Sequence, residues 1–333
     1  MFLNFSLLIL VMLILTYVIR HYIFTIVVLF NTHKPVRIYS NEANFEPYIS
    51  IMIPAHNEEH VIRRILQRMT ELTYSKNKFE VIVIDDASTD RTYEIAKEFA
   101  KIYPFIKVVR RNANDGGKGK PEALNCGLKF IRGEIIYFFD ADYLPQFDIV
   151  EKLTIYFRDP KVGAVQGRVT VLNEPSSLVT RLITLERIGG YRVDQFARNQ
   201  LGLIPQFGGT VGGFRKTIIE SLGGWDPDIL AEDTDLTFKI ILAGFKVKYV
   251  NEAECYEEAV EDWHSYWVQR SRWAKGHMQC AFKHLFPVIK SKNLCVREKI
   301  DGLLLLNIYF VPILVALAWI LGVMLLFVQT DFL

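Results

Sequence analysis

The chain has 333 residues, half of them hydrophobic and 23% charged, with 39 Lys+Arg against 37 Asp+Glu. The resulting charge of +2 excludes a nucleic-acid binder driven by bulk electrostatics, so no nucleic acid is expected as a partner. Intrinsic disorder is excluded too, because this composition can bury enough apolar surface to offset chain entropy.

The first element in the chain is apolar. Leu7–Phe30 is interrupted only by Thr16, Arg20, His21 and Thr25. As a helix it covers about 36 Å, enough for a hydrocarbon core of roughly 30 Å. The Arg20-His21 pair leaves a shorter reading open, with the span at Phe2–Ile19 and Tyr22–Phe30 in the interface. A cleaved signal peptide fits poorly, since no basic residue precedes the run and no small-residue cleavage site follows it.

From Tyr48 short β-branched runs alternate with amphipathic stretches. The pattern predicts strands at Ile49–Ile53, Glu80–Ile84, Ile106–Val109 and Ile135–Phe139, and helices at Glu58–Thr70, Thr92–Lys101 and Glu122–Phe130. Continuous apolar runs such as Val81–Ile84 suit a parallel sheet covered on both faces. The alternation predicts a doubly wound α/β sheet whose ligands bind beyond the carboxyl ends of the strands. Polar or acidic residues occupy those ends: Pro54–Glu59, Asp85–Ser88 and Asp140–Asp142.

Further on, Asp262–Lys283 reads as an amphipathic helix at a membrane surface, with Trp263, Tyr266, Trp267, Val268 and Trp273 on its apolar side. Gly302–Val328 is a second run without a charge, which Pro312 divides into an interfacial piece and a span. Lys34 and Arg37 follow the first run, while Lys290, Lys292, Arg297 and Lys299 precede the second. The positive-inside rule therefore places residues 31–300 in the cytoplasm. Cys126, Cys255, Cys280 and Cys295 have neither disulfide-framework nor zinc spacing and read as reduced structural residues.

No GxGxxG or GxxxxGK[ST] follows the first strand, which disfavours a dinucleotide fold or a P-loop. Gly116-Gly117-Lys118-Gly119-Lys120 lacks the Ser or Thr of a phosphate loop and reads as a flexible basic turn. Asp140-x-Asp142 directly after an apolar strand is a hard-cation signature, suited to one Mg²⁺ or Mn²⁺ bridging a diphosphate. It is joined by Ala231–Asp235 at a helix start and by Gln269–Trp273.

Six stretches in this order, PAHNEE, IDDAST, GKPEALNCGL, FFDADY, AEDTDLT and QRSRW, resemble the family 2 glycosyltransferases over residues 48–275. Within that family they look like the membrane-embedded processive branch of cellulose, chitin-oligosaccharide, poly-N-acetylglucosamine and hyaluronan synthases, of which Q-x-x-R-W is the more specific mark. The resemblance implies a GT-A type fold, a mixed doubly wound sheet between N- and C-terminal transmembrane helices. It implies a transmembrane segment over 1–31, a cytoplasmic transferase domain over 45–255, interface helices carrying QRSRW over 256–300 and a second transmembrane segment over 301–329. The enzyme is then a multi-pass protein of the cell membrane, and the lipid bilayer is a partner.

Residue by residue, Ala55, Glu58, Asp85 and Asp86 match positions that hold uridine and ribose, and Lys120 matches the lysine of the nucleotide site. Asp140 and Asp142 match the metal site, for Mg²⁺ or Mn²⁺. Asp233, with Glu232 before it, matches the catalytic ED pair, Asp233 being the general base. Arg272 matches the arginine that meets the pyrophosphate. Gln269 and Trp273 match the acceptor side, where the indole stacks on a sugar. Gly209 and Thr210 sit where processive members carry an acceptor-site turn. Asp85 also reads as a strand-end cap, and Asp235 as an acid complementing a helix dipole. His264 and His277 read as interface or structural residues.

Gly208 and Tyr143 stand where cellulose synthases carry cysteine and histidine, which argues against cellulose. A single apolar run follows QRSRW, so either the sequence is truncated or export needs further copies or a partner. The implied function is inverting, metal-dependent transfer from a UDP-sugar to a growing β-linked polysaccharide. Transfer to a polyprenyl phosphate or another lipid-linked acceptor is the alternative. A silent scaffold is disfavoured by the intact Asp142, Asp233 and Arg272, and a transporter by the presence of only two spans.

Overall fold

The computed structural model describes residues 2–31, 45–112 and 116–330. Eight strands form one mixed sheet: β1 (Ile49–Ala55), β2 (Phe79–Asp85), β3 (Ile106–Arg110), β4 (Ile135–Phe138), β5 (Leu144–Pro145), β6 (Val162–Val171), β7 (Gly212–Arg215) and β8 (Lys246–Glu257). Their order is β3-β2-β1-β4-β7-β6-β8-β5. The first four are parallel, β7 runs antiparallel between β4 and β6, and β6 is parallel to β8.

The helices, in chain order, are α1 (Phe2–Asn31), α2 (Ile62–Glu71), α3 (Thr92–Ile102), α4 (Lys120–Gly127), α5 (Ile149–Thr154), α6 (Leu178–Arg187), α7 (Phe196–Leu201), α8 (Lys216–Ser221), α9 (Glu232–Leu242), α10 (Trp263–Lys290), α11 (Val296–Leu306) and α12 (Val311–Thr330). A π-helical segment, Ile188–Gln195, joins α6 to α7.

Side chains alternate between faces along each strand, so the buried strands feed two cores. Ile49, Ile51, Val81 and Val83 pack with α2 and α3 on one face. Met52, Ile82 and Ile84 pack with α4, α9, α10 and α11 on the other. The expected alternation therefore forms, and it is a three-layer domain. The strands beyond β4 are what make the sheet mixed, and β8 continues through Glu257, two residues past the expected domain boundary.

The first apolar run is one unbroken helix, so Arg20-His21 does not divide it. Instead Arg20 meets Asp301 of α11 at 3.2 Å and Asp194 of the π-helical segment at 3.7 Å, and Arg198 of α7 shares Asp301 at 3.2 Å. A charge in an apolar helix is expensive unless it is paired, and here it is paired where the helix docks on the domain. The second run divides at Asn307 rather than at Pro312: Gly302–Leu306 ends α11, and Pro312 sits in the first turn of α12, where its missing N–H costs nothing. Leu3–Asn31 and Ile308–Phe327 are each long and apolar enough to cross a membrane.

The expected surface helix over Asp262–Lys283 is only half right. Asp262 caps α10, accepting from Ser265 N at 2.9 Å, and Trp263, Trp267 and Val268 are exposed. In the second half one face is buried against the domain through Gly276, Cys280, Ala281, His284 and Val288, while Phe282 and Phe286 stay exposed on the other. Contact is closest at Gly276, where an added Cβ would lie 2.5 Å from Ala231 N, the residue before α9. We expect Gly276→Ala to force α10 away from α9 and to destabilise the fold by about 1–3 kcal/mol, read as a lowered midpoint of thermal unfolding.

Candidate active site

The carboxyl edge of the parallel strands carries the acids because each strand ends where its apolar run ends. Ala55 pairs in register with Asp85 at the ends of β1 and β2, and Ala55 O accepts from Asp86 N at 2.8 Å. Asp85 is fully buried, accepts from Ser88 N at 3.3 Å and faces Arg110 Nε at 3.3 Å; burial raises its pKa. Asp86 pairs with Arg111, which also reaches Glu122 at 2.9 Å. These two acids are thus fixed in place by guanidinium partners that the sequence reading did not supply.

Beyond β4, Lys120 at the start of α4 reaches across the edge. Its ammonium donates to Asp140 Oδ1 at 2.5 Å and to Gly209 O at 2.8 Å. Burial opposes its charge, but Asp140, Glu232 and Asp233 outweigh this and raise its pKa. Among the described residues Asp142 has no such counter-ion: burial, then the charge of Asp140, push its carboxyl up to about 7. Glu58 is raised by the same two causes. Asp140, Asp142 and Glu58 therefore form one crowded acidic edge with Lys120 as its cation.

Glu232 and Asp233 open α9 on the far side of the turn Gln206–Val211. Gly209, with φ of 82°, lies directly against Asp233: a Cβ there would stand 3.2 Å from Asp233 Oδ2. Thr210 was expected to contact an acceptor. It is buried, and its hydroxyl oxygen accepts from Asp140 N at 3.1 Å, so it braces the acidic loop instead. Asp235 was read as a dipole-complementing acid. It is instead a buried hub paired with Lys239, Lys283 and His284, each at 2.7 Å. Burial would raise its pKa, but hydrogen bonds from His284, Lys239 and Lys283 hold it well below the usual carboxylate range.

The QRSRW stretch is placed less directly. Arg272 is exposed and makes no hydrogen bond or ion pair among the described residues, so the structure does not bring it to Lys120 and Asp140. Gln269 accepts from the neighbouring Arg270 at 2.8 Å. Trp273 carries the guanidinium of Arg270 4.1 Å from its ring centroid and that of Arg187 at 5.3 Å. Arg187 pairs with buried Glu257, donating from Nη2 at 2.9 Å, and Glu257 accepts from Tyr143 at 2.5 Å. This chain runs from the residue after Asp142 to Trp273. No local pattern announces it, because its members are separated by up to 130 residues. His277, read as structural, lies 3.2 Å from Thr234 Oγ1 beside the ED pair.

Residues 47–276 match the model for Glycosyltransferase like family 2. The chain belongs to that glycosyltransferase family. It is 40% identical over 74% of its length to the probable glycosyltransferase YdaM of Bacillus subtilis, covering 59% of that protein. It is 34% identical over 80% to the beta-monoglucosyldiacylglycerol synthase of Nostoc sp., covering 56%. It is 31% identical over 74% to the poly-beta-1,6-N-acetyl-D-glucosamine synthase of Staphylococcus epidermidis, covering 58%. The chain thus spans somewhat over half the length of these relatives. The mannosyltransferase PcManGT of Pyrobaculum calidifontis, solved with GDP-Man and Mn²⁺, shares the fold with a TM-score of 0.67, covering 96% of this chain and 92% of its own at 22% identity. The fold of this glycosyltransferase is GT-A, as its sequence implied.

Within that fold the ED pair is electrostatically coupled. Burial, then the neighbouring charge of Asp233, push Glu232 up to about 7, and burial raises Asp233 as well. A carboxyl with a raised pKa takes up its proton as pH falls through that value, so the pair gains a proton below about pH 7. We expect sugar transfer to fall away on the acid side near pH 7. Glu232→Gln should move that limb to lower pH, because the group that takes up a proton near pH 7 has gone. Comparing pH–rate profiles of the two proteins checks this, and an unmoved limb counts against the coupling.

Proposed function

We propose that this glycosyltransferase transfers a sugar, with inversion, from a nucleotide diphosphate sugar to an acceptor hydroxyl held at the membrane surface. One observation carries the reading: the acidic edge with Lys120 lies across Gly209 from the half-buried Glu232–Asp233 pair. That supports reading the Lys120 side as the leaving-group side and the Asp233 side as the proton-accepting side.

The donor is read as a UDP-sugar, with Ala55, Glu58, Asp85 and Asp86 toward the nucleoside, since carboxylates accept from uracil N–H and ribose hydroxyls. Solved structures of the same fold are described in complex with GDP-Man or UDP-GlcNAc. Asp140 and Asp142 suit a hard divalent cation. Two oxygen-donor groups at a strand end fit it, and Asp142 is a crowded carboxylate without a cation of its own. Among the described residues no cluster of three His, Cys, Asp or Glu could hold one alone, so substrate phosphate would complete the shell. Bound there, Mg²⁺ or Mn²⁺ would supply Lewis-acid neutralisation of diphosphate charge. Lys120 adds a fixed positive charge on the same side. Asp233 takes the proton of the attacking hydroxyl, and burial keeps that carboxylate basic. A single displacement turns an α-linked donor into a β-linked product.

The membrane setting rests on α1 and α12, which contact each other beside the domain, and on the basic flanks that place the domain in the cytoplasm. For the acceptor, the QRSRW stretch favours a growing β-linked polysaccharide. A lipid hydroxyl is the second reading, and Trp273 favours it: two guanidiniums already lie over its ring, which limits its use as a sugar platform. A relative of similar identity is a glycolipid synthase.

Incubating the membrane-embedded protein with a panel of radiolabelled nucleotide sugars and sizing the product separates the two acceptors. Long product supports the first, and one sugar on a lipid supports the second. We expect EDTA to abolish transfer, Mg²⁺ or Mn²⁺ to restore it, and Asp142→Asn to lose turnover while staying folded. Full activity in EDTA-washed membranes would overturn the metal. Asp233→Asn should keep UDP binding and lose rate by roughly 10²–10⁴-fold; unchanged turnover would overturn the base.

A further inference from the structure

We infer that Gln166 and Gln195, which belong to none of the six sequence stretches, are positioning residues that set the distance between Asp233 and the acceptor hydroxyl. The inference rests on the reading of Asp233 as the base. The two glutamines act through the turn Gln206–Val211, which touches Lys120, Asp140 and Asp233. Its Gly209 carbonyl accepts from Lys120, its Thr210 hydroxyl holds Asp140 N, and Gly209 itself lies against the Asp233 carboxylate.

That turn is in an unfavourable conformation. Val211 has φ of 56° and is fully buried. A β-branched residue in the left-handed region is strained and persists only where its surroundings over-determine it. Val211 itself is held by backbone bonds, its N donating to Phe138 O at 2.9 Å and its O accepting from Gly167 N at 2.7 Å, and the turn that leads into it is held by two buried glutamines. Gln195, at the end of the π-helical segment, grips both backbone groups of Gln206: its Nε2 donates to Gln206 O at 2.6 Å, and its Oε1 accepts from Gln206 N at 2.8 Å. Gln166, on β6, accepts from Gly208 N at 2.7 Å and donates to Thr210 O at 3.1 Å. A primary amide donates from its nitrogen and accepts at its oxygen without carrying charge, so it substitutes for a neighbouring strand.

Two further contacts complete the cradle. Tyr191, also on the π-helical segment, fills the space under Gly208, where a Cβ would come within 2.9 Å of its hydroxyl. On the α9 side, Gln206 Nε2 donates to Thr234 Oγ1 at 2.6 Å and Phe207 N to Thr237 Oγ1 at 3.0 Å. The turn is thereby tied to the helix that carries Asp233. The π-helical geometry is part of the device: such segments are rare and concentrate at functional sites, and this one presents Tyr191 and Gln195 together to the turn.

A base displaced by about 1 Å loses roughly 10²-fold in rate, whereas the nucleoside-side residues Ala55, Asp85 and Asp86 share no hydrogen bond with the turn among the described residues. The test uses the full chain in lipid nanodiscs, with the nucleotide sugar of highest turnover from the panel and UDP as binding probe. Gln195→Ala and Gln166→Ala should each lower kcat for transfer by 10- to 100-fold. The donor KM and the UDP Kd should stay within about threefold, and the ratio of donor hydrolysis to transfer should rise as water replaces the misplaced hydroxyl. Gln200→Ala, an exposed position on α7, is the control that leaves kcat unchanged. If the Gln variants merely unfold, kcat and UDP-binding capacity fall together, which overturns the positioning role. So does an unchanged kcat. Asp233→Asn is run beside them. If it retains full rate, the base assignment has failed, whereas inactive Asp233→Asn beside normal Gln variants fails this inference alone.

Discussion

The arrangement of the site depends on one ammonium group. Lys120 sits between Asp140 and the carbonyl of Gly209, and the charges of Glu232 and Asp233 are felt there too. Four carboxylates gathered at one sheet edge repel each other, and each pays its own desolvation as well. With a single lysine compensating them, two acids, Asp142 and Glu232, are left near the point of protonation at neutral pH. That is the condition in which one acid can take a proton while others hold a cation. Lys120 can occupy that point only because α4 begins there, after a tight glycine turn at Gly119 with φ of 105°.

A second constraint fixes α9, and with it the ED pair, against the rest of the fold. Asp235 is nearly inaccessible, and it is neutralised by Lys239 from its own helix and by Lys283 and His284 from α10. Gly276 brings α10 within backbone contact of the residue before α9. Removing one partner from such a cluster leaves a buried charge, so the ties act together or not at all. The same logic holds at the membrane end, where Arg20, Arg198, Asp194 and Asp301 join α1, α7, the π-helical segment and α11. The apolar helices are therefore mechanically continuous with the catalytic domain.

Much of the fold was legible in the sequence, because apolar strands buried on both faces announce themselves over a few residues. Val81–Ile84 and Ile135–Phe138 lie where the pattern put them. The strands past β4 were not read. β7 is Gly212-Gly213-Phe214-Arg215, with almost no apolar signal, and it is a strand only because β4 and β6 flank it. Its glycines are there because Tyr137 and Phe207 lie where side chains would stand. In α10 the tryptophans advertise a surface, while the face packed on the domain went unread because Gly276, Cys280 and Ala281 are small residues with no strong apolar signal.

By itself the sequence determined the family, the acids at the strand ends, the ED pair, the QRSRW stretch and the two apolar helices, since each of these is chemistry written over a few adjacent residues. Only the tertiary structure decided which of those residues meet. It brought Lys120 to Asp140, set Gly209 against Asp233, turned Thr210 inward, left Arg272 in solvent and placed Arg187 and Arg270 over Trp273. It also recruited Gln166, Gln195 and Glu257, whose partners lie 11 to 114 residues away along the chain. A hydrogen bond across such a separation leaves no local pattern, because the residue that needs the partner and the residue that supplies it are brought together only when the sheet closes.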